Sequence, residues 1–124
     1  MNPLNLFSKS TETETYNAGD TIFSQGEPGD RLYVVRSGEV EIQANGVTVD
    51  TVGEGGIFGE MALIDSSSRS ASAVARSDCE VIPVDEKRFT FLVQQTPFFA
   101  VHVMRVLADR LRKTNALLGA RAPA

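Results

Sequence analysis

The fold is decided by residues 31–52, which read RLYVVRSGEVEIQANGVTVDTV. Apolar residues at Val40 and Ile42 alternate with polar ones, as they do in a half-buried strand. Asn45-Gly46 is the preferred pair of a type I′ hairpin turn, because both positions need a positive φ. The stretch therefore predicts three strands with tight turns between them, at residues 31–36, 39–43 and 47–52.

The same β-strand pattern extends outward on both sides, from Thr13 to Asp85. Short runs rich in Val, Ile, Thr, Tyr and Phe are punctuated by glycine, with a strong turn signal at residues 25–30. Further strands are predicted at residues 21–23, 70–76 and 80–84. Seven or eight short strands of this kind favour an antiparallel sandwich or barrel, and we expect a jelly roll.

The periodicity changes after Pro83. Asp85 is placed to cap a helix that begins at Glu86. Pro97 restarts the chain, and a longer helix is expected to run to about Leu118. One stripe of this helix is predicted to be core or a dimer seam, and it consists of Met104, Leu107, Leu111 and Leu118.

The expected architecture is mainly β with flanking helices, in one domain over residues 1–124. An eight-stranded antiparallel β-roll (jelly roll) spans about 13–85, and two C-terminal helices span about 86–118. A short helix or irregular arm is expected at residues 1–10, and a single helical turn at residues 60–64.

Composition excludes several classes of protein. One cysteine, Cys79, permits no internal disulfide, and one histidine, His102, provides no metal-ligand cluster or base–nucleophile pair, so we predict no metal site and no catalytic residues. No run approaches the roughly 20 apolar residues of a membrane span, and the start does not resemble a signal peptide, which predicts a cytoplasmic location. The net charge of −4 and the pI near 4.9 argue against nucleic-acid binding.

The stretch of residues 58–75, FGEMALIDSSSRSASAVA, carries the chemistry. Gly59 lets the backbone approach a ligand closely, and the N–H groups at the start of the next helical turn suit an anion. Arg69 can bond two phosphate oxygens at once, and Ser70 adds a hydroxyl. Glu60 suits a pair of ribose hydroxyls. One guanidinium for phosphate and one carboxylate for sugar indicate a nucleotide pocket.

This stretch resembles the phosphate-binding cassette of the cyclic nucleotide-binding domain family: Phe-Gly-Glu, an aliphatic pair, a short loop, then Arg among small residues. The resemblance extends upstream and covers roughly residues 15–118. It rests there on the segments at residues 18–20, 25–30, 32–35 and 37–40. It implies an eight-stranded β-roll that binds cAMP or cGMP, similar to the ligand-binding domain of catabolite activators and to protein kinase A regulatory domains.

The resemblance also assigns roles to residues. Arg69 would bind the cyclic phosphate and Glu60 the ribose 2′-hydroxyl. By resemblance to the catabolite-activator branch, Thr114 would bond the adenine amino group and Asn115 would reach in from a partner subunit. The ligand-binding set implied in this way is Phe58, Gly59, Glu60, Met61, Ala62, Arg69, Ser70, Ala71, Thr114 and Asn115.

The sequence departs from the family pattern at two places. Ser68 stands where many members have proline, and no helix-turn-helix follows the long helix, so no DNA-binding motif is expected. The favoured function is a non-catalytic receptor that prefers cAMP, has no other cofactor, and signals to an unknown effector protein by moving its C-terminal helix, with a homodimer through that helix. Ser70 could also meet the guanine amino group, so cGMP stays open. The alternative is a degenerate domain that serves as a ligand-independent interaction module.

Overall fold

The computed structural model describes residues 3–7, 12–65 and 68–119. Within these ranges the chain forms eight strands and three α-helices, after a short 3-10 helix at Pro3–Phe7. The strands are β1 (Glu14–Tyr16), β2 (Thr21–Phe23), β3 (Arg31–Ser37), β4 (Val40–Ala44), β5 (Val47–Val52), β6 (Ile57–Phe58), β7 (Ser72–Ala75) and β8 (Cys79–Asp85). The helices are α1 (Met61–Ile64), α2 (Glu86–Gln95) and α3 (Phe98–Gly119).

The strands form two antiparallel four-stranded sheets. One has the order β1-β8-β3-β6 and the other β2-β7-β4-β5. Strands distant in sequence are therefore neighbours, since β3 pairs with β8 and β4 pairs with β7. This arrangement confirms the predicted antiparallel β-roll with flanking helices.

Strands β3, β6 and β8 are buried on both faces because they separate two hydrophobic cores. Tyr33 and Val35 point into the core between the sheets. Leu32 and Val34 point into a second core, which α2 and α3 cover. The continuous apolar run at residues 32–35 thus serves two cores with period 2.

Two predicted local signals are confirmed. Asn45 and Gly46 have φ of 53° and 78°, as the type I′ hairpin between β4 and β5 requires. The Asp85 side chain accepts a hydrogen bond of 2.8 Å from the backbone N–H of Arg88 and caps α2.

Three strands differ from the prediction. Strand β1 was not predicted as a separate strand, and it pairs with β8. Strand β6 was not expected, because the glycines at 53, 55 and 56 indicate only a turn. It has two residues, and it exists because Ile57 and Phe58 pair with Val34 and Tyr33 of β3. Strand β7 is shorter than the predicted 70–76, which leaves Ser70 and Ala71 outside the sheet pairing.

The predicted stripe on the long helix was expected to be core or a dimer seam, and only Leu107 of its four residues packs against a core. The buried positions on α3 are Phe99 and Val103, with Leu107 packed beside them. Met104, Leu111 and Leu118 are exposed, with 62% of Met104 accessible to solvent. These three residues repeat every seven positions. They lie within about 100° of Val103 around the helix axis, on a neighbouring face.

Part of the predicted N-terminal helix lies in the described range. Pro3–Phe7 is helical, and Phe7 is buried in the second core beneath Arg88, whose guanidinium carbon is 4.8 Å from the ring centroid. Residues 1–2 and 8–10 of that prediction lie outside the described residues. Among the described helices, none is both long enough and apolar enough to cross a membrane.

Candidate functional site

A pocket of about 370 Å³ lies between the β2-β7-β4-β5 sheet, the start of α1 and the middle of α3. Its lining includes most of the residues that the sequence analysis predicted to bind the ligand. Those in its lining are Gly59, Glu60, Met61, Ala62, Arg69, Ser70, Ala71 and Thr114. Apolar side chains form the remaining wall, among them Ile42, Val49, Leu107 and Leu111. A mostly apolar pocket with a few polar groups is typical of a small-molecule site.

Arg69 is one of two arginines in the pocket lining, and it is 6% exposed. Its Nη1 donates to the carbonyl of Gly59 at 2.9 Å, and its guanidinium carbon lies 4.0 Å from the centroid of the Phe23 ring. Within residues 3–7, 12–65 and 68–119, its Nε is buried and has no hydrogen-bond partner. Burial lowers the pKa of Arg69 from its usual range. A desolvated cation with an unsatisfied donor is suited to an anionic ligand.

The loop at residues 25–30 holds the backbone of Arg69. Arg69 N–H donates to the carbonyl of Glu27 at 2.7 Å, and Gly26 N–H donates to the carbonyl of Arg69 at 2.8 Å. Gly26 makes this turn with a φ of 90°. The turn signal in the sequence did not reveal this contact, because it joins segments about 40 residues apart.

Gly29 has a separate role, which sequence analysis missed. A Cβ at this position would lie 2.4 Å from Nε of Arg69. Gly29 therefore provides the space that the guanidinium occupies opposite the Phe23 ring. A Cβ at Gly59, where φ is 77°, would likewise lie 2.9 Å from Nη1 of Arg69.

We expect Gly29→Ala to weaken ligand binding about tenfold while the free energy of unfolding changes little. The methyl group would displace the flexible end of Arg69 and misalign one charge-assisted hydrogen bond, which contributes about 1.5 kcal/mol or more. Calorimetric titration and chemical denaturation would measure the two quantities. Gly53→Ala is the matched control, because a Cβ there meets no atom within 4 Å. Equal affinities for the two variants would contradict this role.

Glu60 is the second charged residue buried in the pocket, and it is 3% exposed. Its Oε1 accepts a hydrogen bond from Nη1 of Arg110 at 2.5 Å. A carboxylate has about four lone-pair positions, so this bond leaves acceptor capacity for a hydroxyl group. Glu60 can therefore bind both the arginine and a sugar.

Arg110 is the residue that sequence analysis missed, although it lines the pocket. Besides Glu60, it donates from Nε to Oδ2 of Asp50 at 3.0 Å and from Nη2 to the carbonyl of Ile57. A signal was present in the sequence, because Arg110 continues the spacing of Val103 and Leu107. A charged residue on the apolar face of a helix indicates a buried partner.

Asp50 links β5 to α3 beside the pocket. It accepts from Arg110 and, through Oδ1, from Nζ of Lys113 at 2.9 Å. Burial raises the pKa of Asp50, but the hydrogen bonds from Lys113 and Arg110 outweigh it, so the pKa lies below its usual value.

Two nominated residues do not contribute to the pocket lining. The Phe58 side chain is fully buried in the core between the sheets, with its ring centroid 5.1 Å from that of Tyr33. Asn115 is exposed and is not among the residues that line the pocket. The prediction that Asn115 acts from a partner subunit stays a prediction.

Other reactive residues lie away from this site. Cys79 is buried in the core between the sheets, and burial raises the pKa of its thiol. Burial lowers the pKa of His102 on α3. No group of three or more histidine, cysteine or acidic residues within the described ranges is arranged to hold a metal ion.

A β-roll with a buried guanidinium and a buried carboxylate in one pocket defines a small-ligand-binding domain. A model of the cyclic nucleotide-binding domain matches residues 13–96, and the chain belongs to this family. The resemblance seen in the cassette is thereby confirmed.

Curated relatives and a solved structure agree with this assignment. The chain is 32% identical over 115 residues to a CRP-like cAMP-activated global transcriptional regulator of Mycobacterium tuberculosis, covering 87% of the chain and 50% of that protein. It is 37% identical over 105 residues to a cyclic AMP receptor protein of Thermus thermophilus, covering 81% and 49%. The crystal structure of Thermus thermophilus catabolite activator protein superposes with a TM-score of 0.79 and 33% identity, over 95% of this chain and 58% of that one. The chain thus spans about half the length of the curated relatives it matches.

Proposed function

We propose that this protein is a non-catalytic receptor for a cyclic nucleotide, with cAMP preferred over cGMP. The observation that carries the proposal is the buried Arg69 guanidinium, whose Nε has no partner within the described residues, in one pocket with the buried Glu60 carboxylate. The cation meets the cyclic phosphate and the carboxylate accepts from the ribose 2′-hydroxyl. Backbone N–H groups near Gly59 and Ser70 complete the phosphate site.

The preference for adenine is supported by the wall that α3 contributes. Leu107 and Leu111 offer apolar surface to a purine, and the Thr114 hydroxyl can accept from the adenine amino group. Both curated relatives are named for cAMP. Ser70 also lines the pocket, and its hydroxyl could accept from a guanine amino group, so cGMP is the competing ligand.

The signal in this proposal is a change in the position of α3. The helix contributes Leu107, Arg110, Leu111 and Thr114 to the pocket, so a bound base contacts it directly. A ligand shifts a conformational equilibrium only through its different affinities for the two states. An effector protein would read the position of α3.

Calorimetric titration with cAMP, cGMP, a cyclic dinucleotide and 5′-AMP tests the proposal. We expect heat with cAMP, weaker binding of cGMP, and much weaker binding of 5′-AMP, whose open phosphate carries another charge. Absence of heat and of any melting shift with millimolar cAMP or cGMP would contradict the receptor. That result would favour the degenerate interaction module.

We also propose that a second copy of the chain covers α3, as the sequence led us to expect. Six exposed positions repeat at alternating spacings of three and four residues, which is the heptad pattern of a two-stranded coiled coil. They are Val101, Met104, Ala108, Leu111, Asn115 and Leu118. Asn115 occupies an a-type position, where a buried asparagine fixes the register of paired helices. Leu111 belongs both to this seam and to the pocket lining.

Met104→Glu is expected to convert a dimer into a monomer, because it places a charge in the apolar seam. Multi-angle light scattering at several concentrations would measure the mass. Phe91→Glu on α2 is the matched control, since Phe91 is similarly exposed, at 58%, but lies off the seam. A wild-type protein that stays monomeric with and without cAMP would refute the seam.

A further inference from the structure

Asp50 is an acidic residue of β5 whose two side-chain oxygens both accept hydrogen bonds from α3. Its side chain is 10% exposed. Oδ2 accepts from Nε of Arg110 at 3.0 Å, and Oδ1 accepts from Nζ of Lys113 at 2.9 Å. Oδ1 also accepts from the backbone N–H of Thr51 at 2.9 Å, which fixes the carboxylate against its own strand. The carboxylate is therefore oriented toward the helix.

Arg110, the first of the two partners of Asp50 on α3, connects three parts of the structure around the pocket. Its three side-chain nitrogens bond to β5 at Asp50, to β6 at the carbonyl of Ile57, and to Glu60 at the start of α1. A planar guanidinium with all three nitrogens engaged has one orientation. Asp50 supplies the partner for Nε, so its loss would remove one of the three contacts that fix the orientation of the group bonded to Glu60.

The second half of α3 has few other contacts to the β-roll. Phe99 and Val103, in the first half, are buried in the second core. Beyond Leu107, the described side chains are exposed except for Arg110 and Thr114, which are partly buried. Lys113 and Arg110 are three residues apart and so share one face. The ionic contacts to Asp50 are thus placed where apolar packing is sparse.

We propose that Asp50 is a positioning residue that docks the second half of α3 over the pocket and orients Arg110 toward Glu60. The proposal deepens the receptor function proposed above and rests on it for its binding consequence. Asp50 is not in the pocket lining, so it acts on the ligand through Arg110 and α3. If Asp50 is lost, the docked helix is less populated, and the apparent affinity falls by that fraction.

Asp50→Asn is the test, and Asp109→Asn is its matched control. Both variants remove a negative charge that pairs with Lys113 and replace one acceptor oxygen by an NH2 group, since Asp109 lies 3.1 Å from Nζ of Lys113. Of these two aspartates, only Asp50 joins α3 to the sheet. We expect Asp50→Asn to raise the Kd for cAMP about tenfold and Asp109→Asn to change it less than about twofold.

Amide hydrogen exchange of the ligand-free proteins gives a second readout, which a general loss of stability would not reproduce. We expect Asp50→Asn to speed exchange in α3 at residues 108–118 and to leave β3 and β8 protected. The proposal would be overturned if exchange became faster throughout the chain, or if the exchange rate in α3 did not increase. Equal effects of the two variants on Kd would also overturn it.

A milder variant keeps the test informative if Asp50→Asn is poorly folded. Lys113→Gln removes one of the two contacts and should raise the Kd by a smaller factor. Where Asp50→Asn does fold, adding Lys113→Gln to it should have little further effect, because the charge pair between Lys113 and Asp50 is already gone. Fully additive effects would refute the coupling. If the wild-type protein binds no nucleotide, the receptor function fails, and the exchange experiment still decides the role of Asp50.

Discussion

Arg69→Leu is expected to weaken the binding of cAMP by at least about 30-fold. Truncating one member of a buried, hydrogen-bonded charge pair costs about 2–5 kcal/mol, and each 1.4 kcal/mol is a factor of ten in Kd. Leucine retains apolar contact with Phe23 but donates no hydrogen bond, and a cyclic phosphate in this pocket would lose its main cation. Calorimetric titration and the ligand-induced rise in melting temperature would measure the loss.

The control for Arg69 is Arg76→Leu, which removes a positive charge from an exposed position just after β7. This variant should bind cAMP within about twofold of the wild type, because an exposed charge outside the pocket is screened. A wild-type Kd for Arg69→Leu would refute the phosphate site. Equal weakening by Arg76→Leu would show that the overall charge of the protein attracts the ligand, without a specific phosphate site.

Arg110→Met is expected to have the largest effect on stability, and to lower the free energy of unfolding by about 3–5 kcal/mol. Glu60 is 3% exposed and would keep a buried charge without its cation, which is the situation in which breaking an ion pair costs this much. Asp50 would also lose one of its two cationic partners. Urea denaturation, fitted with a common slope, would measure the change.

A second substitution separates the stranded charge from the loss of packing. Arg110→Met combined with Glu60→Leu removes both charges, and it should recover much of the lost stability, because a buried pair replaced by apolar side chains is often neutral. Arg112→Met, at an exposed position on the same helix, should be nearly silent. If the double variant were as unstable as Arg110→Met alone, packing of the arginine would be the cause.

The parts of the molecule that were predictable depend on short-range signals. The hairpin turn at Asn45-Gly46 and the cap at Asp85 involve residues within a few positions of each other, and both were predicted. The cassette was also predictable, because Glu60 and Arg69 lie on one short segment of recognisable composition. The structure brings both into one pocket.

The parts that were missed depend on contacts between distant residues. Arg110 lies 60 residues from Asp50 and 50 residues from Glu60. The sequence around Arg110 does not indicate which residues are its partners. Strand β6 is two residues long and exists only through its pairing with β3. The sequence left open whether the apolar stripe of α3 is core or dimer seam, because two apolar faces of one helix overlap in sequence, and only packing separates them.

Strand β6 has a consequence for engineering this protein. Its two residues point in opposite directions, with Ile57 in one core and Phe58 in the other, and Gly59 follows directly. A shift of one residue would exchange the two side chains between cores, so the strand is fixed in register. The segment that carries Gly59 and Glu60 is therefore fixed by both cores, whereas Leu111 and Thr114 of α3 line the pocket without belonging to either core. We expect new ligand specificities to come from diversifying these two positions, with Arg110 and the cassette left unchanged.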